Sequence, residues 1–329
     1  MLSDVFIDRY EGTTIWLAWT PAERKLLAQC SQILSEDLYP IHLHNGEDLN
    51  ERAWSKASKL LCRELGTSAL SATQYPANNG VWYQYSVRQQ AVNFLLAAPV
   101  PGETADQFMK SRLSFIELML RIKFEALSVE QPNRMLEGLG YEKIRADSKA
   151  RLDDASIELN ARMARAGVPL NYHNGFIQVS HDPLSAEIVE RPFWSLVDQP
   201  RWSNVDLEMK EAIDRRDTGL SDAAFHAAKS LESAIKIIGT ERGWTTGKEK
   251  GAADHTSNLW SAGGGRMLEE WQVTSLKFIF AKLRNPFGHG AGAGAPATLS
   301  KPEIDWAISM AMSWISLLIR EHENHAQEQ

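Results

Sequence analysis

The sequence predicts a mainly α protein: a helical N-terminal region over 1–150, a segment over 151–214 with a small β-hairpin and a linker, and a C-terminal helical bundle over 215–329. Three observations predict it. Apolar residues recur at three- and four-residue spacing through most of the chain, as on one face of a helix. Helix-start signatures, a Ser or Thr followed three residues later by Glu, precede two of those runs. One Asn-Gly dipeptide separates two short strand-like runs, LNYH and FIQVS.

The elements follow in order. TPAERKLLAQCSQILSEDL starts with Thr20 as N-cap, Pro21 at the first helical position and Glu23 at the third. ERAWSKASKLLCRELG carries Trp54, Leu60, Leu61 and Leu65 and stops at Gly66. YPANNGVWYQYS reads as a turn-rich connection into a helix through Phe94. After the PVPGE breaker comes a long amphipathic pattern from Ala105 to Leu127. A helix over ASIELNARMARA ends near Gly167, and the hairpin turns at Asn174-Gly175, a pair suited to a type I′ turn. RPFWSLVDQPRWSN reads as a linker with an extra helical turn. Behind Ser221 as N-cap, Ala224, Ala228, Leu231, Ile235 and Ile238 mark the first helix of the C-terminal bundle. A second helix passes through Leu268, Leu276, Ile279 and Leu283. The last, capped by Ser300 and Glu303, buries Ile304, Ile308, Ala311, Ile315 and Leu318.

Net charge is −7, with 35 basic and 42 acidic residues. From Arg215 onward the signs balance, so composition does not advertise a broad nucleic-acid-binding face, and phosphate contacts would need a local cluster. The two cysteines, Cys30 and Cys62, lack metal-ligand or CxxC spacing and read as reduced thiols. Neither a signal-peptide pattern nor a run of membrane-spanning length is present, so the expectation is a cytoplasmic protein with no membrane contact. No cofactor or metal is expected. HLH at 42–44 and HENH at 322–325 lack zincin spacing and read as surface features, the second on a fraying tail.

Chemistry concentrates in LRNPFGHG, 283–290. In an ideal helix, residues five apart lie about 140° around the axis, so Arg284 and His289 would not share a face. Pro286 cannot donate a backbone hydrogen bond and disfavours helical geometry at Asn285, and Gly288 allows a sharp turn. The segment therefore breaks a helix and can bring Arg and His around one pocket. On spacing alone, the plainer reading is a helix C-terminus, where both side chains suit the dipole.

Arg284, polar Asn285 and His289 resemble the R-x4–6-H signature of the HEPN superfamily, set between the penultimate and last long helices of a small bundle. HAAKSLESAIKIIG from His226, and Trp306 and Trp314 on the last helix, are similar to the HEPN domain that ends abortive-infection, AbiJ-like proteins. The helix and hairpin ELNARMARAGVPLNYHNGFIQV resemble the region upstream in those proteins. The likeness covers the C-terminal third best, then the hairpin, and the first 150 residues least. It implies a HEPN-type bundle that cleaves RNA without a metal, the ribose 2′-hydroxyl attacking the adjacent phosphate. His289 would move protons, Arg284 would stabilise phosphorane charge, and Asn285 would orient one or the other. It further implies a homodimer that pairs two motifs, an anti-phage role, and an N-terminal region that senses a trigger or binds a regulatory protein. Gly290 and Ala291 replace the tyrosine that follows the histidine in toxins silenced by a nucleotidyltransferase, so that silencing is not expected.

Glu232 and Lys229 on the first bundle helix are supporting candidates; a solvated ladder of Lys229, Glu232 and Lys236 is the plainer account. GTERGWTTGKEKG fails as a P-loop, with three residues between Gly243 and Gly247 and Glu249 where Ser or Thr should stand. Lys248 and Lys250 there are candidate RNA-phosphate contacts, against the simpler account of a solvated loop. Two other function classes remain open: a non-catalytic HEPN-like scaffold or sensor that binds RNA or protein, and a toxin subunit neutralised by a partner.

Overall fold

A computed structural model describes residues 5–78, 80–128, 141–179, 183–260, 267–284 and 299–327. The protein is mainly helical, with three small two-stranded antiparallel sheets. It divides into two compact units, Met1–His181 and Asp182–Gln329.

The first unit runs α1 (Phe6–Arg9), α2 (Pro21–Gln32, prolonged by a π turn to Leu38), β1 (Leu43–His44), β2 (Glu47–Asp48), α3 (Glu51–Glu64), β3 (Gln74–Pro76), β4 (Trp82–Gln84), α4 (Val87–Leu96), α5 (Ala105–Ser128), α6 (Tyr141–Arg165), β5 (Leu170–His173) and β6 (Phe176–Val179). The capping box on α2 forms as expected. A second caps α4, where the Ser86 hydroxyl accepts from Gln89 N and the Gln89 side chain accepts from Ser86 N.

Helix α5 departs from its expected amphipathic pattern because every residue from Phe108 to Arg121 is buried. α1, α2, α3, α6 and β6 all pack on it. Its polar side chains must therefore find partners inside the protein. Ser114 Oγ accepts from Ile7 N at 2.9 Å. Lys110 donates to the carbonyls of Tyr10 and Thr13 and pairs with Asp106. The Arg112 guanidinium lies 3.7 Å from the Phe108 ring centroid and 4.3 Å from that of Phe94, and it pairs with Glu103 at 3.0 Å. Glu117, with no exposed side-chain surface, accepts from Arg9 at 2.6 Å, Arg121 at 2.6 Å and the backbone N–H of Ile177 at 2.8 Å.

That carboxylate anchors the 170–179 hairpin, whose register Leu170↔Val179 to His173↔Phe176 brings Asn174 and Gly175 to the turn. Both turn residues have positive φ, 41° and 89°, as a type I′ turn requires. Asn160 on α6 clasps Tyr172 through its N–H and C=O. Arg9 and Arg121 lie 5.0 and 4.1 Å from the Phe176 ring centroid. A Cβ at Gly175 would meet Arg121 Cγ at 3.3 Å in addition to the positive φ. Gly175→Ala is therefore expected to lower stability by about 1–3 kcal/mol, read as a shift in urea midpoint; an unchanged midpoint would show that the turn relaxes freely.

The second unit runs α7 (Pro183–Ser185), a π turn to Glu190, α8 (Arg191–Leu196), a 3-10 turn (Pro200–Trp202), α9 (Ser203–Asp217), α10 (Ala223–Glu241), α11 (Ala252–Ser257), α12 (Glu270–Ile279, prolonged by a π turn to Arg284) and α13 (Lys301–Gln327). α10 is central, and its buried Ala223, Ala224, Ala227, Ala228 and Ala234 let α9 and α13 approach closely. It begins at Ala223, with Asp222 rather than Ser221 at the N-cap position.

The chain thus parts at 181/182, whereas the sequence suggested boundaries at 150 and 214. The hairpin belongs to the first unit because Glu117, Arg9 and Asn160 bind it there. The expected linker 191–204 belongs to the second because Phe193 and Trp202 are fully buried in its core.

Candidate functional site

Arg284 closes the helical run that begins at Glu270; Phe280 and Leu283 anchor its last turn in the core. Asn285 and His289 lie outside the described residues, as does the side chain of Arg284. What the structure does describe is the frame on both sides. The 280–284 turn and α13 each pack against α10, and at the start of α13 the Glu303 carboxylate accepts from the N–H and the hydroxyl of Ser300, one half of the expected box.

Glu232 is buried on α10, 6 % exposed, and its Oε1 lies 2.8 Å from Lys236 Nζ. It stands on the helix against which the 280–284 turn packs. Lys229, the other supporting candidate, bonds Glu208 of α9 at 2.6 Å, and the His226 imidazole sits 2.9 Å from the other oxygen of that carboxylate. Burial works to raise the Glu208 carboxyl, but Lys229 and His226 hold it below the usual range. Lys229 and His226 thus tie α9 to α10.

Lys248 and Lys250 lie on a loop ordered by Glu249. The N–H of Thr246 at 2.7 Å and the amide of Asn258 at 2.6 Å both bind that carboxylate and draw it down to about 2. Backbone hydrogen bonds of Lys248 and Lys250 go to Thr246 Oγ1 and Asp254, while both side chains carry no ion pair among the described residues.

The 322–325 tail departs from the expected fraying. His322 is buried, its ring 6.2 Å from that of Trp202, and Arg242 also donates to its backbone oxygen. Its Nε2 meets Glu241 at 2.7 Å, and its Nδ1 accepts from Arg242 Nε at 3.0 Å. That pattern suits a neutral imidazole protonated at Nε2. Burial, reinforced by Arg242 and Arg201 against the pull of Glu241, holds its pKa below the ordinary value. A depressed histidine contributes fully above about pH 6.5, where both states are neutral. As pH falls through that value the unfolded chain takes up the proton first, so stability declines. The second unit's melting midpoint is expected to drop more between neutral and mildly acidic pH in wild type than in His322→Gln; parallel slopes would remove His322 from the account.

Among the described residues, no group of three His, Cys, Asp or Glu side chains could hold a metal ion, and no helix is long and apolar enough to cross a membrane. No protein-family model, curated protein or solved structure matches the chain.

Proposed function

We propose that the protein is a metal-independent endoribonuclease of HEPN type, acting in the cytoplasm as an anti-phage effector. One observation carries the reading. Arg284, Asn285 and His289 head the segment between two helical runs, and both runs pack on α10, which bears buried Glu232. In the proposed reaction the 2′-oxygen attacks phosphorus, a base takes its proton, and an acid protonates the departing 5′-oxygen. The ends are a 2′,3′-cyclic phosphate and a 5′-hydroxyl, and no redox partner is needed. His289 exchanges the protons, the permanently charged Arg284 stabilises the phosphorane, and Asn285 orients one of them.

One histidine per chain serves one of the two proton transfers, so the functional species is a homodimer with two motifs facing across its axis. α13 supports that reading with Trp306, 58 % exposed, and Met310 one turn on, only partly covered by the core. The first unit senses a phage component or holds a regulator.

The test compares wild type with Arg284→Ala and His289→Ala for growth arrest and for RNA ends, in buffer treated with chelator. Cyclic-phosphate ends and toxicity that vanish in both variants support the proposal. Equal behaviour of the three folded proteins would leave 283–290 as a helix end and make the chain a binding scaffold.

A further inference from the structure

A chain of net charge −7 has no general affinity for a polyanion, so an RNA substrate needs a local track. The helical run 270–284, EWQVTSLKFIFAKLR, carries Lys277, Lys282 and Arg284 against one carboxylate, exposed Glu270 at its start. On its outer face stand two of the most exposed aromatic side chains among the described residues, Trp271 at 65 % and Phe278 at 63 %. They are seven residues apart, which on a helix puts them on one face about 10 Å apart along the axis. Exposed Thr274 lies between them, and exposed Lys277 flanks the stripe. Lys282 sits beyond Phe278, its Nζ 5.7 Å from the ring centroid. The opposite face of the same run, Val273, Leu276, Ile279, Phe280 and Leu283, fills the core. Trp271 and Phe278 belong neither to that core nor to the apolar residues packed against it.

We infer that this outer face of α12 is a stacking track for single-stranded RNA, leading the strand towards Arg284. Aromatic faces accept any base, and lysines between them take the phosphates, which is the usual composition of a sequence-tolerant single-strand site. The inference rests on the proposed nuclease reading and assigns that site its substrate class: unpaired RNA, gripped by stacking upstream of the reacting phosphate. Trp271 and Phe278 are positioning residues. A second copy of the chain is the rival occupant of an exposed aromatic stripe; Lys277 and Lys282 beside the rings, with the carboxylates Glu269 and Glu270 confined to the start of the helix, favour RNA.

The experiment uses the full chain and a short fluorescein-labelled 2′-O-methyl RNA, which lacks the attacking hydroxyl and cannot be cut. Fluorescence anisotropy is read for wild type, Trp271→Ala, Phe278→Ala, Trp271→Phe and the Lys277→Gln/Lys282→Gln pair, against the same strand in a duplex. Each alanine variant is expected to weaken single-strand binding roughly tenfold, Trp271→Phe to keep most of it, and the lysine pair to flatten the salt dependence. Wild type should prefer the single strand. Unchanged affinity in the alanine variants overturns the inference. So does a wild type that does not bind, or variants that alter only sedimentation, which would give the stripe to a second copy. Failure of the nuclease reading looks different: the aromatics govern binding, but wild type yields no cyclic-phosphate ends on ordinary RNA.

Discussion

Glu117→Ala is expected to cost the first unit about 3–5 kcal/mol, the range for removing one partner of a buried ion pair. The carboxylate is wholly inaccessible and accepts from two guanidiniums and one backbone N–H, each within 3.0 Å. Removing it leaves Arg9 and Arg121 as two buried like charges, and leaves the N–H of Ile177 without this acceptor. Charges deprived of a counter-charge in the interior are far costlier than the intact triad is favourable. Replacing all three members together, as Arg9→Met, Glu117→Leu and Arg121→Met, is therefore expected to cost much less than the single change. Urea denaturation of the four proteins, read by tryptophan fluorescence, checks both statements. A Glu117→Ala variant as stable as wild type would mean that water or a side-chain shift reaches the two arginines. The hairpin should loosen first, because Arg9 and Arg121 also bond the carbonyls of Ile177 and Gly175.

This triad also shows where sequence reasoning stops. Glu117 and Arg121 are one helical turn apart and legible as a pair, but Arg9 is separated from Glu117 by 108 residues and nothing local announces it. The same holds for α5. Its spacing reads as amphipathic because lysine, arginine and glutamate interrupt the apolar pattern, yet those polar groups are satisfied by α1, α4 and the hairpin and so can be buried. By contrast the Asn174-Gly175 turn, the Thr20 box, the Glu303 half of the Ser300 box and the buried stripe of α10 are local features, and each formed as the residues indicated. A second Asn-Gly pair, Asn45-Gly46, makes a turn of the same sign, but strands of two residues are too short for alternation to show. Segment 191–204 lacks helical periodicity because its helix is six residues long. Its membership of the core rests on Phe193 and Trp202, whose large apolar area was the available signal.

The candidate site divides the same way. LRNPFGHG is visible as a motif because helix breaking and residue chemistry are local. The partners of Lys229 are not, since Glu208 lies on the preceding helix. His322 was hidden for the same reason, as Glu241 and Arg242 are about 80 residues away in sequence.

Under the proposed reaction, His289→Ala removes both histidines of the dimer and is expected to lower the cleavage rate by more than the factor of about 10²–10⁴ that one general acid–base group contributes. The more discriminating result comes from mixing chains. Two proton transfers and one histidine per chain require two histidines at each reacting phosphate if both steps are catalysed by imidazole. A heterodimer of wild type with His289→Ala then retains only one, and its rate should lie about 10²–10⁴-fold below wild type. If each chain carried a complete site, the heterodimer would keep about half the wild-type rate. Arg284→Lys sharpens the argument, because it keeps the charge but loses the planar fork that spans two phosphate oxygens. It should fall well below wild type while binding RNA through the α12 track with unchanged affinity. Full activity in Arg284→Lys would reduce the arginine to a source of positive charge. Half activity in the heterodimer would remove the shared site and, with it, the chemical reason for the dimer.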